Sequence, residues 1–488
     1  MRYISTRDKT NIVSSSKAII QGIAEDGGLF VPEEFRKIEN LDSFIGYSYN
    51  RLCKYILNYF FDDMKYGIDE AVDRAYDAKF KDRVIELKDF GDIGFLELYH
   101  GVSLSFKDIA LSILPELMKL AMEIEKTEED ILILTATSGD TGKAALEGFK
   151  DLERFKIAVF FPDDGVSFIQ EKQMITQEGK NTYVFRLLGN FDDAQRGVKK
   201  LFSDKEFIEE LNKMNLKLSS ANSINIARLI PQVVYYVYTY LESLRKGKLS
   251  KADKINFCVP TGNFGNVLAA YYAYKIGVPI NKLIIASNEN NVLTDFFRTK
   301  KYNANRNLVK TISPSMDILV SSNLERLLFD LTNDDKLIKD KMKELFEVGS
   351  YSINIQSDLF FADYIKQEET KNNIRIVFDK YNYIIDPHTA VAYGVYQKYL
   401  NETKDKTYTV IVSTASPYKF PNEIMDAFKI TYKDEIDSIN KLSILSGNEI
   451  PKQIMDILNN HKSKEIVVSK DNMKEKLLNT IKQGGSNV

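Results

Sequence analysis

Only two cysteines, Cys53 and Cys258, and three histidines, His100, His388 and His461, occur in 488 residues. Two cysteines cannot build a disulfide framework and suit a reducing compartment. The histidines lie far apart, none with a second His or Cys at ligand spacing, so a metal centre finds no support. No serine or cysteine sits in a G-x-S-x-G-like elbow, which weakens a Ser/His/Asp or Cys/His hydrolase. No apolar run approaches the roughly 18 residues of a membrane span, and the opening MRYISTRDKT lacks the apolar core of a signal peptide. Neither charge is in excess: 66 Lys+Arg against 69 Asp+Glu leave −3, with an isoelectric point near 5.9. No global positive field therefore invites nucleic acid or an anionic membrane. The dinucleotide fingerprint G-x-G-x-x-G is also absent. The expectation is a cytoplasmic chain whose hard chemistry comes from neither a metal nor a histidine base.

What is present suggests two or three domains with sizeable cores, since 44% of the residues are apolar. From about residue 130, strand and helix signals alternate. ILILTA (131–136), FKIAVFF (155–161), TYVFRLL (182–188), KINFCV (254–259), KLIIA (282–286) and TVIVST (409–414) read as buried strands. Helical stretches follow from Lys143, from Ser167 to Gln177, from Phe191, from near Asn222 and from Val267. Buried strands separated by helices mean parallel sheets covered on both faces. The pattern predicts an α/β fold of two doubly wound domains: 99–245 as the smaller, 246–430 as the larger, with LESLRKGKLSKADK (241–254) as the crossing. Residues 1–98 read as a mainly helical segment packing on the larger domain, and 431–488 as C-terminal helices and tail. Residues 325–345 read as a charged, solvated helical face, and GGSNV at the end as disordered. No internal repeat occurs.

One lysine breaks a local rule. In HGVSLSFKDIALSIL (100–114), Ile109, Ile113, Leu114 and Leu117 recur at helical spacing, and Ser105 with Asp108 forms a capping-box pattern. Lys107 then falls in the first helical turn, where the macrodipole prefers an acid. Such a violation marks either a side chain bent out to water or a functional group.

Ligands bind beyond the carboxyl ends of strands in open α/β sheets. After 131–136 comes TATSGDTGKAA, which has two residues between Gly139 and Gly142 where a Walker A loop has four, and Ala144 in place of the magnesium-binding hydroxyl. It is instead a hydroxyl-rich turn, with Thr137, Ser138 and Thr141, at a helix N-terminus, suited to a carboxylate or phosphate or simply to capping. After 254–259 comes PTGNFGNV, where Gly262 and Gly265 let the backbone curl round an anion and Asn263 and Asn266 add donors. At the end of 409–414, the hydroxyl of Thr414, the last strand residue, can meet a ligand ring nitrogen or close its own strand end.

Six motifs in this order resemble the threonine synthase family: HGVSLSFKD, TATSGDTG, SANSINIARL (220–229), TGNFGN, DPHTAVAYG (386–394) and STASPYKF. The N-terminal STR and DGGLFVPE are similar to the opening of that family's bacterial and fungal branch. The resemblance implies the tryptophan synthase β-like architecture, fold type II, with pyridoxal 5'-phosphate in a cleft between the two domains. It implies that Lys107 carries the cofactor as a Schiff base and moves protons on the substrate. Gly262, Asn263, Phe264 and Asn266 would hold the cofactor phosphate, and Thr414 would face the pyridine nitrogen. Ser138 and Thr141 would meet the substrate carboxylate, with Asp140 near the cofactor's ring oxygen. Asn222, Ser223, Asn225 and Arg228 would take the phosphate of O-phospho-L-homoserine. The implied activity converts that substrate and water to L-threonine and phosphate. The rival is a phospho-lyase or serine/threonine dehydratase releasing a 2-oxo acid; a non-catalytic cofactor-binding protein is the third reading. The expected partner is the small-molecule substrate, and the expected state a monomer or small homo-oligomer. Val102-Ser103 stands where the family usually has Pro-Thr, so the lysine loop is expected to be freer.

Overall fold

In the computed structural model the described residues are all except 78, 81, 82, 138, 164, 165, 461 and 485–488, and the side chain of 192. Ser138, His461 and the last four residues of the expected tail thus lie outside the described residues.

Two parallel sheets organise the chain. The first has five strands in the order Glu465–Ser469, Thr182–Leu188, Phe155–Pro162, Asp130–Ala136 and Leu216–Ser219, all parallel. The second has six, in the order Phe360–Tyr364, Ile280–Ser287, Ile255–Pro260, Thr409–Ser413, Ile93–Glu97 and Glu86–Asp89, antiparallel only at the last pair. Every residue of Ile255–Pro260 and Thr409–Ser413 is buried. This is why these segments read as unbroken apolar runs: helices cover both faces of the sheet. Among the described residues no helix is long and apolar enough to cross a membrane.

Sheet membership departs from the limits expected from the sequence. The segment expected to be mainly helical supplies Glu86–Asp89 and Ile93–Glu97 to the six-stranded sheet. The expected tail supplies the edge strand Glu465–Ser469 to the five-stranded sheet, and helix Met473–Lys482 folds back on it. Val468, Met473, Leu477 and Ile481 share a core with Leu132, Phe160 and Phe185. EIVVS hides its nature because an edge strand buries little; in this one Val468 alone is fully buried. Residues 325–345 also split. Helix Asp335–Val348 buries only Ile338 and is the solvated face expected, whereas helix Leu324–Thr332 is largely interior. There Glu325 receives hydrogen bonds from Thr6 (2.6 Å) and Arg7 (2.8 Å), and Arg326 donates to the carbonyls of Phe30 and Ile224. Charges paired in this way can be buried, so charge content misstated the location.

Helix Lys107–Ile124 runs through the core with Pro115 inside it. Pro115 has no N–H to give the Leu111 carbonyl four residues back. Gly148, on helix Asp140–Phe149, lies so close to that carbonyl that a Cβ would meet it at 2.3 Å. The missing side chain lets the two helices approach, which sets Asp140 opposite Lys107.

Candidate active site

Lys107 is the first residue of its helix, as the spacing predicts. The capping differs from expectation. Asp108 Oδ2 accepts the N–H groups of Ser103 (2.9 Å) and Ser105 (3.5 Å), but the Ser105 hydroxyl turns to Ser103 Oγ at 2.9 Å rather than capping the helix. Burial raises the Asp108 carboxyl to about 6 against these donors. The loop at Val102-Ser103, expected to be freer, is tied down at one carbonyl. The Ser103 carbonyl accepts from Lys419 Nζ (2.6 Å) and Gln173 Nε2 (3.2 Å). Past it, Phe106 N–H donates to the Thr414 carbonyl at 2.9 Å and Ser416 N–H to the Leu104 carbonyl at 3.0 Å. These bonds set buried Thr414 beside the lysine loop.

Around Lys107 Nζ the charges form a short array. Nζ lies 3.5 Å from Asp140 Oδ2 and 3.4 Å from Ser315 Oγ. Asp140 Oδ1 accepts from Lys419 at 2.5 Å and from Gln170 Nε2 at 2.8 Å. The side chains of Lys107, Asp140 and Lys419 are only 15%, 3% and 0% exposed. Burial pulls the Lys107 ammonium below the usual lysine range; Asp140 opposes this, and the positive charges of Lys419 and Arg228 reinforce it. Burial alone would raise the Asp140 carboxyl, but Lys419, then Lys107, and hydrogen bonds from Lys419 and Gln170 outweigh it and hold the group ionised.

Ser315 comes from a loop clamped by Asp317. That carboxylate accepts Asn288 Nδ2 (2.7 Å), Asn290 Nδ2 (2.9 Å) and the Thr311 N–H (2.8 Å). Ser315 N–H donates to Nε2 of buried His388, whose Nδ1 meets Asp386 Oδ2 at 2.7 Å.

The GNFGN loop leaves strand Ile255–Pro260 and opens helix Gly265–Lys275. Phe264 takes a left-handed φ of 65° and stacks on Phe297. A Cβ on Gly262 would meet the Ser315 carbonyl at 2.6 Å, so the loop passes directly against the lysine-facing segment. Asn266 Oδ1 accepts the hydroxyls of Tyr235 and Tyr236, both at 2.6 Å, while its buried Nδ2 has no partner. Asn263 presents its carbonyl to Asn323, whose Nδ2 also reaches Ser223 Oγ at 3.2 Å. The phosphate-loop candidates and Ser223 are thus neighbours in space.

Arg228 is buried in helix Ile226–Arg245, with Nη1 on the Ala221 carbonyl and Nε unpaired. Burial pulls its guanidinium down to about 10. Among the described residues no carboxylate pairs with it. Asn222 Oδ1 accepts from Thr135 Oγ1 at 3.0 Å at the end of strand Asp130–Ala136. Asn225 departs from its expected role: it is fully buried, its Oδ1 caps helix Ile226–Arg245 through the Ala227 N–H, and its Nδ2 bonds the Ile19 carbonyl. Both ends are used internally, so it is a structural cap. Thr137 likewise spends its hydroxyl on the N–H groups of Gly139 and Gly142. Thr141 sits partly exposed in the first turn of helix Asp140–Phe149.

These residues fit a group bearing a phosphate and an aldehyde. A glycine-lined turn at a helix N-terminus, the orphaned Asn266 amide, a desolvated lysine amine and the neutral Thr414 hydroxyl supply complementary chemistry. Lys419, Gln170, Ser315, His388 and Asp386 carry no role in the sequence reading. Lys419 stands inside one of the six motifs and Asp386 with His388 inside another, which is a signal without a mechanism; Ser315 has no local signal at all.

Residues 2–76 match the family model described as threonine synthase N terminus, and residues 389–476 the one described as threonine synthase, C-terminal. Threonine synthase-like 1 of Macaca fascicularis is 37% identical over 489 residues, 95% of this chain, but the chain spans only 65% of that protein's length. Threonine synthase of Schizosaccharomyces pombe is 34% identical over 511 residues, covering 93% of this chain and 98% of that one. The crystal structure of pyridoxal-phosphate-bound threonine synthase from Brucella melitensis superposes with a TM-score of 0.86 at 32% identity, covering 100% of both chains. Sequence and fold agree over the whole described chain, and the chain belongs to the threonine synthase family.

Proposed function

We propose that this chain is a threonine synthase, converting O-phospho-L-homoserine and water to L-threonine and phosphate with pyridoxal 5'-phosphate. One observation carries the reading: a desolvated lysine amine feels the charge of a buried guanidinium that has no acid partner among the described residues, and Ser315, 3.4 Å from that amine, packs against the glycine-lined loop at a helix N-terminus. Pyridoxal phosphate bound at Lys107 would supply the electron sink that makes substrate α- and β-protons removable. Lys107 Nζ takes those protons and returns them, a task suited to an amine whose charged form burial disfavours. Backbone N–H groups from Gly262 to Asn266 hold the cofactor phosphate at the start of helix Gly265–Lys275. Thr414 would face the ring nitrogen, where a neutral hydroxyl does not force ring protonation as a carboxylate would. Ser138 and Thr141 orient the substrate carboxylate. Asn222, Ser223 and Arg228 receive the substrate phosphate, Arg228 through its planar fork. The two cysteines, free and buried, support the cytoplasmic location that goes with this activity.

The test is product analysis. Purified protein with O-phospho-L-homoserine should release phosphate and L-threonine in equal amounts and leave serine, threonine and unphosphorylated homoserine essentially untouched. Buried donors left unpaired by a missing phosphate cost about 1–3 kcal/mol each, which favours the phosphorylated substrate by orders of magnitude. Release of 2-oxobutyrate as the main product would assign the chain to the elimination-only phospho-lyases. Equal rates with and without the phosphate would overturn both.

A further inference from the structure

Lys419 has no part in the chemistry above, yet its ammonium is fully saturated. Its three N–H donors meet three acceptors: Asp140 Oδ1 at 2.5 Å, the Ser103 carbonyl at 2.6 Å and Gln173 Oε1 at 3.2 Å. Among the described residues the polar contacts of Lys107 are long, 3.5 Å to Asp140 Oδ2 and 3.4 Å to Ser315 Oγ. One buried carboxylate is thus shared unequally between two lysines, and Gln170 tightens it further toward the Lys419 side. The charged and titratable groups around Lys107 are Asp140, Lys419 and Arg228, with Asp108 next in the chain and His388 behind Ser315. Asp140 is the anion able to hold a proton on Lys107 by direct pairing.

We propose that Lys419 is a positioning residue that acts through Asp140: it draws the carboxylate onto itself and leaves the Lys107 amine free to react. This deepens the proposed function and rests on Lys107 being the reacting amine. Without Lys419, Asp140 closes on Lys107, and an opposite charge at that range favours the ammonium form. The ammonium has no lone pair for an electrophile.

The test reads the proton on Lys107 directly, in the full chain stripped of cofactor and without substrate. Acetic anhydride acylates only the uncharged amine: the Nζ–carbonyl bond forms, acetate leaves, and the amine proton passes to water. Labelling of Lys107 is followed against pH by mass spectrometry, with exposed lysines as internal references and circular dichroism as the check on folding. Lys419→Met should move the midpoint of the Lys107 profile upward and lower its labelling near neutral pH by on the order of tenfold, one pH unit of protonation. In an Asp140→Asn background the shift should shrink to what direct repulsion between Lys419 and Lys107 leaves, because the carboxylate through which Lys419 acts is gone. An unmoved midpoint in Lys419→Met, or an equal shift in both backgrounds, would overturn the proposal. Should Lys419→Met not fold, Lys419→Gln, which also removes the charge, takes its place. The midpoint of the Lys107 profile must then move upward as well, and an unmoved or lower midpoint rejects the mechanism. The product assay is independent of this readout, so failure of one does not imply failure of the other.

Discussion

Ser315 donates its backbone N–H to Nε2 of His388 at 3.1 Å. The accepting nitrogen carries no proton, so the ring proton lies on Nδ1, toward Asp386. The imidazole is therefore a fixed spacer between helix Pro387–Thr403 and the loop that sets Ser315 against Lys107. His388→Ala should lower kcat/KM by about a hundredfold through misplacement near the reacting groups. It should also cost about 2–3 kcal/mol of stability by stranding Ser315 N–H and Asp386. Steady-state kinetics with denaturant unfolding check this; a fully active, equally stable variant removes His388 from the site.

Lys107→Ala should abolish both the yellow cofactor absorption and turnover. An absorption spectrum and a phosphate-release assay decide it, and retained activity would end the proposed chemistry.

Arg228 separates function from stability. It is buried with one carbonyl partner and an unpaired Nε, an arrangement that costs desolvation without a counter-charge. Arg228→Met should lower kcat/KM for the phosphorylated substrate by about 10²-fold or more, yet leave the unfolding midpoint equal or higher and the cofactor band in place. A lower midpoint with unchanged kinetics would make Arg228 structural.

Asp108 gives a pH dependence of defined sign. Its carboxyl is raised from the usual 3.8 to about 6. The folded chain therefore holds a proton that the unfolded chain has released across that window. The contribution to stability is full below 3.8 and is lost as pH rises through about 6. Asp140, held below its usual value, runs the other way, so the group is isolated by substitution. Between pH 5 and 7.5, Asp108→Asn should gain about 1 kcal/mol relative to the unsubstituted chain. Equal differences at both pH values in urea titrations count against the assignment.

Truncation after residue 463 removes strand Glu465–Ser469 and helix Met473–Lys482. It uncovers Val468, Met473, Leu477 and Ile481 and the core they close. At about 1.5–3 kcal/mol per buried apolar side chain, the loss rivals the roughly 5–15 kcal/mol that stabilises a domain. The truncated chain should be insoluble or cofactor-free; a soluble, fully active product would show the segment to be dispensable.

Local pattern carries the parts of this protein that depend on neighbours along the chain. TYVFRLL coincides with strand Thr182–Leu188, and Phe191 opens helix Phe191–Ser203, because a buried parallel strand needs an unbroken apolar run and a helix needs a cap. The misplaced Lys107 was legible for the same reason: the first helical turn has a known electrostatic preference, and one residue violates it. The motifs then pointed to a family, and with it to the loops from which the candidate site is built.

Tertiary structure alone decided what those loops meet. Lys419 and Asp140 are 279 positions apart in the chain, and nothing near either residue tells a buried ion pair from two surface charges. Ser315 and His388 lie 73 apart and touch through a backbone N–H that no side-chain pattern records. Asn225 looked like a ligand donor until the Ile19 carbonyl claimed its amide. Glu465–Ser469 became a strand because Thr182–Leu188 offered an open edge. Periodicity reports how much of itself a segment must bury; the partner of a charge or a sheet edge is set by chain crossings. Those crossings are selected by the free energy of the whole core, which no single window of sequence contains.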